Sequence, residues 1–282
     1  MIDHDALALA AQALQPLSQT AVRLSQLFAN EEWDVDDVIE AVSFDAPLTG
    51  RILRAANSAK LGGASRVGTI EQAIVRMGSG VVVRLAVGVS VRGAMMAEIP
   101  QLGAREGELW RHDVATAVAT EVIPLVSKRR VPPEAFTTSL LHDVGRIIMY
   151  QQVEEGLMRQ IEAARAAGET AVAAERAILG ADHGEIGALV AQAWNLPEPL
   201  VQAIRLHEEP AEAADHKARE ICDIVKVSDA VARKIGFQCG EKLEDVIDLP
   251  GSLARLGLDR SKLDELGELA LERFEEVLAQ FE

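Results

Sequence analysis

Apolar residues along this chain recur mostly at intervals of three and four, the pattern of helices that bury one face. Two such sets lie in the first 45 residues, and Asp34, whose side chain suits a helix N-cap, separates them. The sets are Leu17, Ala21, Leu24 and Phe28, then Val35, Val38, Ile39 and Val42. A third helix is predicted over residues 51–59, ending near Gly62 and Gly63, because glycine readily adopts left-handed backbone.

The next apolar segments are also predicted to be helical. Thr69 and Gln72 have the spacing of a capping box ahead of a fourth helix. The run at residues 81–87 is rich in valine and could form a strand by propensity, but its length and its helical neighbours favour a buried helix. Gly78 and Gly80 precede this run, and they indicate a helix–helix connection rather than a phosphate loop, because no Gly-Lys-Ser/Thr follows.

A polar stretch with proline and glycine, residues 98–107, divides the chain. We therefore predict an all-α protein: an N-terminal helical bundle over residues 1–105, a second helical subdomain over residues 106–240, and a C-terminal helical extension over residues 241–282. The extension carries a narrow apolar stripe, interpreted as packing on the parent core, with homodimerisation as the alternative. The stripe consists of Leu263, Leu266, Ala270, Phe274, Val277 and Phe281.

Composition narrows the possible classes of protein. The formal net charge of −16 argues against general nucleic-acid binding, which depends on lysine and arginine contacts to phosphates. The two cysteines, Cys222 and Cys239, provide neither a disulfide framework nor a CxxC zinc motif, as expected in a reducing compartment. No apolar run reaches the roughly 18 residues of a membrane span, and the N-terminus lacks the basic residues of a secretory signal. We expect a cytoplasmic protein without a membrane partner.

The histidines are the first candidates for chemistry. Four of the six follow or share the apolar faces of predicted helices: His112, His142, His183 and His207. A single histidine in such a position is usually a core residue, but four together indicate a shared site. His4 and His216 have polar surroundings and are not assigned to it.

Two carboxylates add to the evidence for a shared site. Asp143 follows His142 at the end of an apolar helix, and Asp229 lies among apolar residues at helical spacing. A buried carboxylate is costly unless it is paired or bound to a cation. Imidazole and carboxylate ligands suit iron, manganese or zinc. The alternative is a metal-free network in which these histidines and aspartates satisfy each other by hydrogen bonds.

The order His112, His142-Asp143, Asp229 resembles the HD superfamily of metal-dependent phosphohydrolases, and His183 and His207 match the two-metal pattern of its HD-GYP branch. Several stretches more closely resemble the HDOD domain, the HD-related output domain of bacterial signalling proteins. They are residues 53–62, 67–78, 109–113, 140–145, 181–187 and 196–207. The resemblance covers roughly residues 14–235.

Two departures from the HD-GYP pattern bear on catalysis. Arg146 stands where those enzymes typically have lysine after the HD-x-Gly stretch. Residues 208–210 read Glu-Glu-Pro, so the second histidine of the HHE motif and the Gly-Tyr-Pro element are absent. The resemblance therefore implies fewer metals than in a working HD-GYP enzyme, or none. HDOD proteins are generally regarded as regulatory relatives without established hydrolysis.

The resemblance implies a regulatory signalling module that binds signalling proteins or a small ligand, with a structural or vestigial metal site. A nucleotide or cyclic dinucleotide is one possible ligand, although no basic motif is dedicated to it. The alternative is a metal-dependent phosphohydrolase acting on nucleotides or cyclic nucleotides, in which Asp143 and Arg146 would take part in catalysis. One ion would then bind His112, His142, Asp143 and Asp229, and a second would bind His183 and His207.

Overall fold

The computed structural model describes residues 4–29, 33–58, 66–96, 105–239 and 249–281. The first six helices are α1 (His4–Ala13), α2 (Gln19–Ala29), α3 (Val35–Ser43), α4 (Ala46–Ala56), α5 (Ile70–Met77) and α6 (Ser79–Met95). The next five are α7 (Glu108–Ser127), α8 (Glu134–Leu141), α9 (Val144–Gln152), α10 (Glu155–Ala166) and α11 (Ala171–Leu179). The last five are α12 (His183–Ala193), α13 (Glu198–Leu206), α14 (His216–Lys234), α15 (Leu249–Arg255) and α16 (Lys262–Gln280).

Within the described ranges there is no strand, which confirms the all-α prediction. The valine-rich run at residues 81–87 lies inside α6, as its length and its neighbours predicted. Val82, Val83 and Val87 of α6 are buried, so these β-branched side chains pack in a core and tertiary contacts override their strand propensity.

The predicted helix starts are partly correct. Asp34 caps α3 in a reciprocal capping box with Asp37. Thr69 caps α5 by accepting a hydrogen bond from the Gln72 backbone N–H (3.2 Å). The predicted second half of that box is wrong, because Gln72 Oε1 accepts from the backbone N–H of Gly68 (2.8 Å). The Gln72 side chain thus secures the turn before the helix.

The predicted third helix corresponds to α4, which begins earlier than expected. Asp45 caps it by accepting from the backbone N–H of Leu48 (3.0 Å), so the helix starts before residue 51. It ends at Ala56. Residues 62–63, where the sequence predicted its end, lie outside the described residues.

Helix α7 is at the centre of the C-terminal part of the molecule, where it contacts α8, α14 and α16. The predicted apolar stripe of α16 is buried, and α16 packs along α7, as the parent-core interpretation expected. Beyond the end of α16, the Phe281 ring meets the Trp110 ring edge-on at 5.2 Å. Helix α1 packs against α9 and α12, so the N-terminal segment also supports the helix that follows Asp143 and the helix that begins at His183. Homodimerisation stays a prediction.

No single helix in the described ranges is long and apolar enough to cross a membrane. Helices α5 and α6 reach that length and hydropathy only when joined, and they bend by 107° where they meet.

Cys222 should resist alkylation in the folded protein. Cys222 is buried and forms no disulfide, and burial raises the pKa of its thiol to about 12. The reactive thiolate is therefore nearly absent at about pH 8. We expect iodoacetamide to modify Cys222 only after unfolding in guanidinium chloride, as measured by peptide mass spectrometry. Equal modification rates in folded and unfolded protein would contradict this.

Candidate metal centre

The fold brings all six predicted site residues together from six helices and the segments that join them. His112 lies in the second turn of α7, His142 and Asp143 join α8 to α9, His183 is the first residue of α12, His207 follows α13, and Asp229 lies in α14. Each is at most 2% exposed. Imidazole ring centroids lie 5.3 Å apart for His112 and His142, 5.1 Å for His142 and His207, and 5.1 Å for His183 and His207.

A close approach of two helices positions Asp143. Gly145, in the first turn of α9, packs directly on α12. A Cβ atom on Gly145 would lie 2.0 Å from the carbonyl oxygen of His183 and 2.5 Å from the backbone nitrogen of Gly187. Only glycine allows this contact, which brings the start of α9 against the start of α12.

The histidine rings are held in a defined orientation. In three of them Nδ1 lies against a main-chain carbonyl oxygen: His112 at Phe237 (2.8 Å), His142 at Ser139 (2.7 Å) and His207 at Ile204 (2.8 Å). A carbonyl oxygen only accepts hydrogen bonds, so in each ring Nδ1 carries the hydrogen and, in the neutral ring, Nε2 carries the free lone pair. This is the arrangement usual for metal-binding histidines.

The first donor set consists of His112, His142, Asp143 and Asp229. Asp143 Oδ2 lies 3.7 Å from Nε2 of His112 and 3.7 Å from Nε2 of His142. Asp229 Oδ1 lies 3.3 Å from Nε2 of His112. Ligands about 2.0–2.1 Å from a tetrahedral ion lie roughly 3.3–3.4 Å from each other. Both Nε2 atoms are buried without a hydrogen-bond partner among the described residues, so they could bind one divalent ion together with Asp143.

The second donor set consists of Asp143, His183 and His207. His183 Nε2 lies 3.2 Å from His207 Nε2 and 3.6 Å from Asp143 Oδ1. The same Oδ1 lies 2.7 Å from Nε of Arg146, a side chain that is 1% exposed. A guanidinium group therefore already neutralises the carboxylate oxygen that a second ion would need. A metal ion at this set would have three donors and would compete with the buried Arg146 guanidinium for Asp143.

Burial and neighbouring charges separate the pKa values of these histidines. Burial lowers the pKa of His142 to about 3, so its ring is neutral. Burial also disfavours the charged form of His183, but the Glu175 carboxylate, 2.7 Å from its Nδ1, raises the pKa to about 9. Burial and the neighbouring His183 lower the pKa of His207. Protonated His183 can then donate from Nε2 to His207.

A second buried arginine neutralises Asp229. Arg233 donates from Nε to Oδ1 (2.8 Å), and its terminal nitrogen lies 2.6 Å from Oδ2. Its guanidinium also lies 3.7 Å from Glu208, whose backbone carbonyl accepts a hydrogen bond from the buried Lys226. Arg233 was not among the predicted site residues, although its position four residues after Asp229 is the spacing of a helical ion pair.

Asp113 and Glu175 were also not among the predicted site residues. Asp113 is fully buried, Oδ1 lies 3.5 Å from His142 Nδ1, and burial raises the pKa of its carboxyl well above the usual value. It follows His112 directly in α7, where a residue usually points elsewhere, but nearly every face of that helix is buried. Glu175 accepts hydrogen bonds from the His183 backbone (2.9 Å) and ring (2.7 Å). It lies in α11, across a turn, and no sequence spacing indicated the contact.

These buried groups can bind a divalent metal ion. Two clusters have donor atoms within 4.8 Å of one another: His112, Asp113, His142 and Asp143, and then Asp143, His183 and His207. Asp143 is common to both, so its two oxygens face two adjacent donor sets. Asp113 lies on the Nδ1 side of the His142 ring, and neither of its carboxyl oxygens has a hydrogen-bond partner among the described residues.

The fold and this arrangement agree with the comparison to known families. The model of the HDOD domain matches residues 14–210, and the chain therefore belongs to the HDOD domain family. An uncharacterised Treponema pallidum protein is 23% identical over 192 residues, which cover 68% of this chain and 37% of that relative. The chain thus spans well under half of that relative's length.

Solved structures share the fold. A Shewanella amazonensis protein provisionally named a phosphohydrolase is 26% identical, with a TM-score of 0.68 and coverage of 98% of both chains. A Geobacter sulfurreducens HDOD domain protein of unknown function is 19% identical, with a TM-score of 0.67 over 99% of this chain and 97% of the other. A Marinobacter aquaeolei protein provisionally named a signal transduction protein is 21% identical, with a TM-score of 0.73 over 96% of this chain and 59% of the other.

Proposed function

We propose that this protein is a regulatory signalling module that acts by binding a partner protein or a small ligand, and that its HD site is structural. The observation that carries this proposal is the closure of the site. None of the six predicted ligands is more than 2% exposed. A phosphoryl group must contact the metal and its bound water to be hydrolysed, and ligands buried to this depth leave little room for such a contact.

The charge balance supports the same proposal. Asp143 pairs with Arg146, Asp229 pairs with Arg233, and Glu175 pairs with the charged form of His183. Each buried carboxylate of these pairs has a cationic partner from the chain itself. The site can therefore persist without a metal, and an ion bound to the first donor set would reinforce the fold.

The alternative is a metal-dependent phosphohydrolase, and the first donor set favours it. The Nε2 atoms of His112 and His142, which have no hydrogen-bond partner among the described residues, each lie 3.7 Å from Asp143 Oδ2, where one ion could contact all three. The Shewanella amazonensis relative, at 26% identity, also carries a provisional phosphohydrolase name. Manganese, iron or zinc would suit the nitrogen and oxygen donors. In an active enzyme, the helices around the site would have to open to admit the substrate.

Metal analysis combined with an activity assay distinguishes the regulatory proposal from the phosphohydrolase alternative. We expect at most one equivalent of metal per chain, and no hydrolysis of bis(p-nitrophenyl) phosphate or cyclic nucleotides with added manganese, iron or zinc. His142→Ala should remove the bound metal, whereas His216→Ala, at an exposed position at the start of α14, should retain it.

Turnover that His142→Ala abolishes and His216→Ala retains would overturn the regulatory proposal. Two equivalents of tightly bound metal would contradict the argument that Arg146 excludes a second ion. Metal retained by His142→Ala would show that the first donor set is not the binding site.

A further inference from the structure

The orientation of His112 depends on one carbonyl group outside the metal centre. The carbonyl belongs to Phe237, three residues after the end of α14, and it accepts the hydrogen bond from Nδ1 of His112 (2.8 Å). Because this bond keeps the hydrogen on Nδ1, it leaves the lone pair of Nε2 directed at the metal position. The position of Phe237 therefore decides how well His112 can serve as a ligand.

A Schellman motif at the end of α14 holds one side of Phe237. Gly236 has a positive φ of 101°, and its N–H donates to the carbonyl of Arg233 (3.2 Å). The Phe237 N–H donates to the carbonyl of Ala232 (3.0 Å), which completes the motif. The Phe237 carbonyl follows the last of these bonds in the chain, so its position also depends on how the Phe237 side chain is packed.

Two side chains hold the Phe237 ring. Phe274, a 1% exposed residue of α16, lies against it with ring centroids 4.2 Å apart and planes tilted by 37°. The Arg111 guanidinium lies over both rings, 5.5 Å from the Phe237 centroid and 4.9 Å from the Phe274 centroid. Arg111 also pairs with Glu275 of α16 at 3.4 Å and directly precedes His112 in α7. Aromatic and cation–π contacts thus join α16 to the residues beside the metal ligand.

Helix α16 also contacts the end of α14 closer to its own start. The Lys234 amino group lies 2.9 Å from Asp264. A Cβ atom on Gly267 would lie 2.8 Å from Cγ2 of Ile235, so glycine permits this close approach of the two helices. Phe237 and α16 both follow residue 210, where the match to the HDOD domain ends. The support of His112 therefore comes from a part of the chain beyond that match.

We propose that α16 sets the metal affinity of the first donor set. The Phe274 ring holds Phe237 in place, and the Phe237 carbonyl holds the His112 ring with Nε2 directed at the ion. Phe237 and Phe274 are positioning residues, since they act on the metal only through His112. Both roles presuppose the structural metal site of the proposed function.

Zinc affinity measures the control by α16. We expect Phe274→Ala to raise the zinc Kd about 10- to 100-fold, as is usual when the group that orients a ligand histidine is disturbed. Competition with a chromophoric chelator gives the Kd. Phe281→Ala is the matched control, because it removes the same buried ring at the end of α16 from contacts with Trp110 and Gly88 rather than with Phe237. Its zinc Kd should stay that of the wild-type protein.

A double-mutant cycle tests whether the two rings act as one unit. Phe237→Leu keeps the backbone carbonyl but removes the ring, so it should weaken zinc binding by about the same factor as Phe274→Ala. The double variant should bind zinc no more weakly than the weaker single variant, because each substitution breaks the same contact. Factors that multiply in the double variant would show that the rings act independently, contrary to the proposed route.

Nitrogen-15 NMR of the metal-free protein reports on His112 directly. The wild-type ring should carry its hydrogen on Nδ1. In Phe274→Ala the hydrogen should move partly to Nε2, which lies 3.3 Å from Asp229 Oδ1 and can donate to it. His142 is the internal control, because its Nδ1 donates to the Ser139 carbonyl and should be unaffected.

The outcomes are separable. Urea unfolding establishes that each variant is folded, and if Phe274→Ala is not, Phe237→Leu, at a partly exposed position, decides by the same two measurements. A folded Phe274→Ala that binds zinc like the wild-type protein, or no more weakly than Phe281→Ala, would refute control by α16. An unchanged His112 tautomer would refute the route through Phe237. Wild-type protein that binds no zinc would refute the structural metal site, and the His112 tautomer alone would then decide whether α16 orients the ring.

Discussion

Gly145→Ala should lower the free energy of unfolding by about 3 kcal/mol and separate the two donor sets of the metal centre. The added Cβ would lie 2.0 Å from one backbone atom and 2.5 Å from another, and neither can move like the end of a flexible side chain. Helices α9 and α12 must therefore shift apart, which takes Asp143 away from His183. Urea unfolding measures the loss, and metal content measures the damage to the site.

Gly156→Ala is the matched control. Gly156 lies within α10, and a Cβ there would meet nothing within 4 Å. Alanine favours the helix over glycine, so this variant should keep or raise the free energy of unfolding by up to about 1 kcal/mol. If Gly145→Ala were as stable as Gly156→Ala, the contact between α9 and α12 would not position Asp143 as described.

The sequence predicted the helical fold and singled out six residues that the structure brings together, because both follow from short-range patterns. Helical spacing identified His112, His183 and Asp229 as polar side chains on apolar helix faces. Burial of such groups is costly unless they have a partner, and this indicated a shared site. The motif order then connected residues distant in the chain. These predictions needed no knowledge of how the helices pack.

The remaining site features depend on packing between helices. Glu175 approaches His183 across a turn, and Asp113 is buried because neighbouring helices cover nearly all of α7. Gly145 looks like an ordinary helical glycine in the sequence, and its importance comes from the proximity of α12. Arg233 is the exception, since its spacing from Asp229 was available from the sequence alone.

The arginine pairs explain how this site differs from an open catalytic centre. In an open site, a metal ion supplies the positive charge that the carboxylates need, and its remaining positions bind water and substrate. Here Arg146 and Arg233 supply that charge from the chain. The same carboxylates therefore stabilise the fold whether or not an ion is bound, and metal affinity depends on how readily they give up their arginine partners.

Arg233→Leu should test this competition with a large effect. The substitution removes both contacts to Asp229 and leaves its carboxylate buried without that cation. We expect the free energy of unfolding to fall by roughly 3–5 kcal/mol, as measured by urea unfolding of the metal-free protein. Lys234→Leu is the matched control, because Lys234 pairs with the exposed Asp264 and its loss should cost under about 1 kcal/mol.

Added zinc or manganese should then raise the melting temperature of Arg233→Leu more than that of the wild-type protein. Both Asp229 oxygens would be released to coordinate the ion, which would replace the missing positive charge and stabilise the folded state by binding to it. An equal rise in the two proteins would contradict competition between Arg233 and the metal. An Arg233→Leu protein as stable as Lys234→Leu would show that the buried Asp229 carboxylate does not need Arg233 for its stabilisation. Other groups would then have to balance its charge in the metal-free protein.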